Sequence, residues 1–405
     1  MEFQSYREMD EVAMLRAAAA GHTEIVRAFL ESKFYRKGDK ATGFALMAAA
    51  SGGHVPCLQL LLKAKADVNT ANKDGYTAAI LAAAKGHPEC LQILLKAKAN
   101  IEATSNRGDT PLMYAAYTGH TECLQMLLRA KANISVTNEE GNTAAFLAAV
   151  YDQASCLQMM LDAKADISVV NRQGNTALIA TAADGKTACA QILIDAKADV
   201  DARGDCSNTA SILAAAAGHN VCLQALLDAK ADVNAANIDG NTAAMLAALL
   251  GHPACLQVLC DAKADINVKN EYSNTALILA CGDGRTSCAR ILLNAKARIE
   301  AGDEYGHTAL MVAAMRGHTA CLQLLLDAKA DVDATGVHGH TPLIMAVNGG
   351  YTECVRLLVD AKANIDRKRK DGHTAMMIAR KERLNDIVNI LLKAKADKLP
   401  TSDAR

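Results

Sequence analysis

Six His-x-x-Cys pairs recur along this chain of 405 residues, at His54/Cys57, His87/Cys90, His120/Cys123, His219/Cys222, His252/Cys255 and His318/Cys321. Imidazole and thiolate are zinc ligands. A closed structural site needs four of them, so each ion would have to be shared between neighbouring pairs, and a turn histidine beside a buried thiol is the plainer reading. Ala180 to Thr187 (ATAADGKT) meets the permissive form A-x-x-x-x-G-K-T of a phosphate-binding loop. Such a loop works by converging glycine-rich backbone amides on phosphate between a strand and a helix, so the letters count only in that setting. Arg367-Lys368-Arg369-Lys370 is the one basic run, with the composition of a nuclear-import signal or of a solvated loop tip. No G-x-S-x-G elbow, H-E-x-x-H helix or kinase set occurs, and carboxylates recur at intervals instead of converging, so no catalytic residue is assigned.

The spacing of these motifs comes from one ladder. A Gly-x-Thr or Ser-x-Thr step ends at Thr77, Thr110, Thr143, Thr176, Thr209, Thr242, Thr275, Thr308, Thr341 and Thr374, every interval being 33 residues. An unbroken period of this length marks a stacked array, whose units bury their apolar faces only against one another. In the unit around Asp74 to Asn106, Thr77 is a natural cap for a short helix that Gly86 ends. His87-Pro88-Glu89 opens a second helix carrying Cys90, Leu91, Ile93, Leu94 and Leu95. A polar stretch with turn residues then forms an extended finger. On this frame Ala180–Ala183 fall in a helix and Gly185-Lys186 replaces Gly-His, which removes the setting a phosphate loop needs.

Composition agrees with close-packed short helices. Tryptophan is absent, aromatics are 3% and hydrophobic residues 51%, much of it alanine. A net charge of -1 gives no global field toward nucleic acid or an anionic membrane. The long uncharged run Asn241 to Cys260 is broken at Gly251-His252-Pro253, so no membrane span is expected. Ten of the thirteen cysteines (Cys57, Cys90, Cys123, Cys156, Cys189, Cys222, Cys255, Cys288, Cys321 and Cys354) share one repeat position, which makes it a packing position. Small thiols behind an acidic segment (MEFQSYREMDEV) with no apolar leader fit the cytoplasm or the nucleus. Cys206, in a finger, is the expected exposed thiol.

These residues resemble the ankyrin repeat. The family's T-P-L-H-x-A, G-H and G-A-D-V-N signatures appear as Thr110-Pro111-Leu112, Gly86-His87 and Ala231-Asp232-Val233-Asn234, over about nine-tenths of the chain. The resemblance implies an all-α solenoid, an ankyrin-repeat stack of antiparallel helix pairs with short β-hairpin-like fingers. The pairs number twelve by their Gly-His positions. The expected divisions are a capping pair over 1–40, an array over 41–370, a capping repeat over 371–397 and a disordered tail over 398–405.

Three departures from the family stand out. Its His in T-P-L-H is replaced by Ile80, Met113, Phe146, Ile179, Ile212, Met245, Ile278, Met311, Ile344 and Met377, exchanging a polar tie for apolar packing. Ser207 and Ser273 replace the finger glycine and are expected to loosen two fingers. The glycine that usually ends the second helix is lysine, from Lys65 and Lys98 through Lys362 and Lys395, a local helix cap in preference to a cationic rail.

Function follows from the resemblance as a class: a non-enzymatic scaffold, monomeric and without cofactor or metal, that binds a protein or peptide along its concave face and fingers. The alternative is a regulatory or substrate-adaptor subunit of an enzyme complex such as a ubiquitin ligase, kinase or phosphatase. The family varies the two residues before the Gly-His turn and those flanking the finger glycine. Here these include Tyr117, Val150, Tyr151, Leu249, Leu250 and Met315 on helices, with Tyr76, Tyr272 and Tyr305 on fingers. Tyrosine is a rigid amphipathic anchor, so a partner groove is expected around Tyr117, Tyr151, Leu249 and Leu250.

Overall fold

The computed structural model describes residues 2–32 and 40–397, in two compact units, 1–205 and 206–405. The tail over 398–405 lies outside the described residues. Each unit holds six helix pairs, from Glu2–Ala19 with Thr23–Glu31 to Ala177–Ala183 with Thr187–Asp195, and from Ala210–Ala217 with Asn220–Asp228 to Ala375–Lys381 with Asn385–Ala396. Within a unit, first helices stack on first helices and second on second. The architecture is an all-α solenoid, and the expected twelve pairs are present among the described residues.

Thr77 starts each repeat's pattern: its Oγ1 accepts the Ile80 N–H at 3.4 Å, and the same threonine cap recurs in every later unit through Thr374. The helix Ala78–Lys85 buries Ala78, Ala79, Ile80, Ala82 and Ala83, whose small side chains let neighbouring helix axes approach. The residues that stand in for the family's histidine are buried, from Ile80 to Ile344, while Met377 in the last unit is exposed. Pro88–Lys96 presents one stripe, Cys90, Leu91 and Leu94, and each fully buried leucine contributes about 2 kcal/mol. All ten ladder cysteines are buried, and Cys206 is exposed. Three ladder thiols reach a carbonyl of the preceding unit, as Cys123 does to Ala82 at 3.9 Å.

Gly86 ends its helix at φ 70°, and the other Gly-His positions behave alike, including Asp152 and Arg383, which take positive φ where glycine is replaced. The following histidine ties units together. His87 Nε2 lies 3.0 Å from the Ser51 carbonyl oxygen, His54 and His318 repeat the bond, and Arg285 Nε donates to the Leu249 carbonyl in the same place. The imidazole of each such His-x-x-Cys pair is thus engaged on a preceding first helix while its thiol is buried. At the ATAADGKT motif, Ala177–Ala183 is helical and no strand precedes it.

Second helices close with a reverse pair of bonds: Ala99 N–H donates to the Leu94 carbonyl and Lys98 N–H to the Leu95 carbonyl, both at 3.0 Å. This closure places Lys98 at φ 63°, and ten lysines share that left-handed conformation. Lys395 does not, because Asn385–Ala396 continues as helix straight through it. The acidic neighbours are held locally: Asp162, Asp195, Asp228, Asp261 and Asp327 each accept from a glutamine one turn earlier. Left-handed backbone costs a lysine about 1–2 kcal/mol, but glycine would add chain entropy and lose the helix-end charge, each up to about 1 kcal/mol. Lys131→Gly is therefore expected to change unfolding free energy by less than about 1 kcal/mol in urea melts. A gain above about 2 kcal/mol would show the strain to be uncompensated.

Fingers are single turns closed by one bond, as Asn72 N–H to the Tyr76 carbonyl, with Asn72 Oδ1 accepting from Asp74 and Tyr76 N–H. Four of them add one isolated β-bridge, the hairpin-like part of the expectation. Neighbouring tips are joined by one backbone bond, Asn106 N–H to the Asp74 carbonyl and Glu139 N–H to the Arg107 carbonyl, both at 2.9 Å. Ser273 does not loosen its finger: at φ 57° it keeps the turn, and Asn270 N–H still donates to the Asn274 carbonyl at 3.0 Å. At Ser207 the finger becomes a 3-10 turn, Asp205–Ser207, with Cys206 and Ser207 both at positive φ.

Candidate partner-binding site

Three consecutive fingers and two first helices of the unit 1–205 enclose a cavity of about 260 Å³. The finger 72–76 contributes Tyr76. Pro111–Thr118 contributes Tyr114 and Tyr117, one turn apart and so on one side of the helix. Leu147 and Tyr151 are spaced by a turn likewise, Tyr151 capping the end of Ala144–Val150. The fingers 105–109 and 138–142 add Arg107, Asp109, Asn138, Glu139 and Glu140.

The four tyrosines form a continuous run. Ring centroids are 5.7 Å apart for Tyr76 and Tyr114, 5.3 Å for Tyr114 and Tyr117, and 5.0 Å for Tyr117 and Tyr151, all tilted, within the range where aromatic pairs attract. Tyr114 donates its hydroxyl proton to Tyr76 Oη at 3.0 Å. Burial and this donated bond push the Tyr114 phenol well above its ordinary range, and burial with the nearby Asp109 charge pushes Tyr117 the same way. Both stay neutral near pH 7. Asp109 is buried, with Oδ1 accepting from Asn138 Nδ2 at 2.8 Å, and burial raises its pKa in spite of that bond and of Arg107. Three carboxylates face one guanidinium around the cavity.

Of the residues picked from sequence, Tyr76, Tyr117 and Tyr151 are brought together here. Tyr151 is 55% exposed, Tyr76 and Tyr117 are half-buried, and Val150 is half-buried beside Tyr151. Leu249, Leu250, Tyr272, Tyr305 and Met315 belong to the unit 206–405. There Leu250 ends Ala243–Leu250 with 44% exposure, Leu249 is half-buried, and Tyr272, Tyr305 and Met315 are exposed. The Tyr305 ring lies 5.7 Å from that of His307. Sequence reasoning missed Tyr114, Asp109, Arg107, Glu139 and Glu140. Arg107, Asp109 and Glu140 flank Gly108 and Gly141, so the rule that picked Tyr76 reached them, and Tyr114 lies one turn before Tyr117.

Among the described residues, no helix is long and apolar enough to cross a membrane. The family described as ankyrin repeats (3 copies) matches residues 7–72, 46–138, 97–171, 128–204, 145–237, 197–270, 245–336 and 333–402. Among solved structures, the crystal structure of the human ASB11 ankyrin repeat domain is similar at 28% identity and a TM-score of 0.49, over 54% of this chain and 96% of that one. No curated protein is a match. Ankyrin repeats are generally protein-interaction modules, and the fold is typically non-enzymatic. With the matched segments running from residue 7 to residue 402, this chain belongs to the ankyrin repeat family.

Proposed function

We propose that the chain is a non-enzymatic scaffold that binds a protein or peptide partner in the angle between its fingers and first helices. The observation that carries this reading is the run of Tyr76, Tyr114, Tyr117 and Tyr151, four large rings gathered around one cavity in a chain that has only nine tyrosines. Rigid aromatic side chains with polar tips are the residue type that concentrates binding energy at interfaces. Val150 borders this patch, and Leu249, Leu250, Tyr272, Tyr305 and Met315 supply further apolar contact positions in the second unit.

The test is affinity purification from the native source with wild type, Tyr151→Ser and Leu250→Ser side by side, followed by binding measurements on the recovered partner. Tyr151→Ser is expected to weaken binding about tenfold or more, as truncation of an anchor does, with the melting temperature within a few degrees of wild type. Leu250→Ser is expected to weaken it less. Unchanged affinity in both variants would place the contact surface elsewhere.

A further inference from the structure

We infer that the tyrosine pocket receives a positively charged side chain, the ammonium of a lysine or the guanidinium of an arginine, displayed by the protein partner. This rests on the docking reading above and names what enters the site. Phenol rings offer negative π faces to a cation, and the four rings here are tilted against one another instead of stacked flat, so several edges and faces border one cavity. Tyr76 accepts the Tyr114 proton and keeps its own hydroxyl lone pair and proton for an incoming group.

The charges around the rings have the matching sign. Asp109, Glu139 and Glu140 line the cavity against the single Arg107. Asp109 is the telling residue, since a carboxylate withdrawn from water is disfavoured in its charged form without a close counter-charge. Arg107, which is exposed, lowers its pKa without offsetting the burial that raises it. An arriving cation would relieve that cost, whereas an acidic side chain would add to it. Size agrees: pockets for small molecules run from about 300 to 1,000 Å³, and this one, at about 260 Å³, suits a single long side chain.

The experiment pans a phage-displayed library of random peptides, about twelve residues long so as to bury an interface-sized face, on the immobilised full chain. Enriched peptides are then synthesised, and their affinities measured for wild type, Tyr151→Ser, Glu140→Gln and Asp109→Asn, the last keeping an acceptor for Asn138. The expected result is a shared lysine or arginine whose replacement by glutamine weakens binding at least tenfold. Asp109→Asn and Glu140→Gln should each weaken it several-fold with melting temperature unchanged, and added salt should weaken wild-type binding more than that of Glu140→Gln. Enriched peptides without a shared basic residue, or with a shared acidic one, that still lose affinity to Tyr151→Ser would overturn the cation and leave the docking reading intact. Peptides indifferent to Tyr151→Ser, or no enrichment at all, would overturn both.

Discussion

Moving the chain from pH 8 to pH 10 is expected to remove about 8 kcal/mol of unfolding free energy, enough to melt much of the array. The cause is six thiols of the cysteine ladder; Cys321, pulled down to about 7 by its bond with Cys281, does not share it. Burial pushes Cys90, Cys123, Cys156, Cys222 and Cys255 up to about 11 and Cys189 up to about 12, from an ordinary 9.0. Each of these thiols is at most 1% exposed. The folded pKa lies above the unfolded one, so the folded state holds its protons longer. This stability is complete below pH 9 and is lost as pH rises toward 11. By pH 10 each thiol has given up roughly 1.4 kcal/mol, the free energy of one pKa unit. Circular dichroism melts at pH 8, 9 and 10 measure the loss. A variant with Cys90, Cys123, Cys156 and Cys189 changed to alanine should lose far less over the same interval. Equal losses in both proteins would assign alkaline unfolding to lysines and tyrosines instead.

Gly53→Ala is expected to cost about 3 kcal/mol. Gly53 has φ 72°, a conformation that costs an alanine about 1–2 kcal/mol. A Cβ built there would also stand 2.6 Å from Nδ1 and 2.8 Å from Cε1 of His87 in the next unit. The ring would have to move, and with it the bond from His87 to the Ser51 carbonyl, worth about 1 kcal/mol. The double mutant isolates the second part: in a His87→Ala background the cost of Gly53→Ala should fall to the backbone share alone. Additive costs in urea melts would show that the ring contact carries nothing.

The repeat was readable because every unit solves the same packing problem with the same residues: Thr77 caps, Gly86 turns, and Leu91 and Leu94 bury. Deviations were readable only where they broke a local rule. Lys98 could be recognised as a strained helix end from its place in the period, but nothing in the period sets Lys395, which is helical, apart from the ten left-handed lysines. Ser273 looked like a weakness because glycine is the easy residue at φ 57°, yet the Asn270 side chain and backbone hold the turn. At the candidate site, Tyr76, Tyr117 and Tyr151 follow from position alone. The same rule reaches Asp109, and Tyr114 lies one turn before Tyr117, but what singles them out is the distances between side chains of successive units. Asp109 occupies the same repeat position as Tyr76, and Leu147 the same one as Tyr114, so equivalent positions play different parts in one cavity.

The bonds between neighbouring units all join residues about one period apart, as Asn106 with Asp74, Asn100 with Asn69 Oδ1, and Cys123 with Ala82. Unequal recombination of the gene that removed residues 108–140 would join Arg107 to Gly141, and the Arg107 carbonyl, now without Glu139, would meet the N–H of Arg172, which occupies the same place one unit later. Copy number is thus free to drift without asking the backbone for any new partner. The tyrosine cavity has no such freedom, because the same deletion takes away Asp109, Tyr114 and Tyr117 together. On the proposed docking, the side chain that enters the cavity would hold this stretch of the gene to its present length.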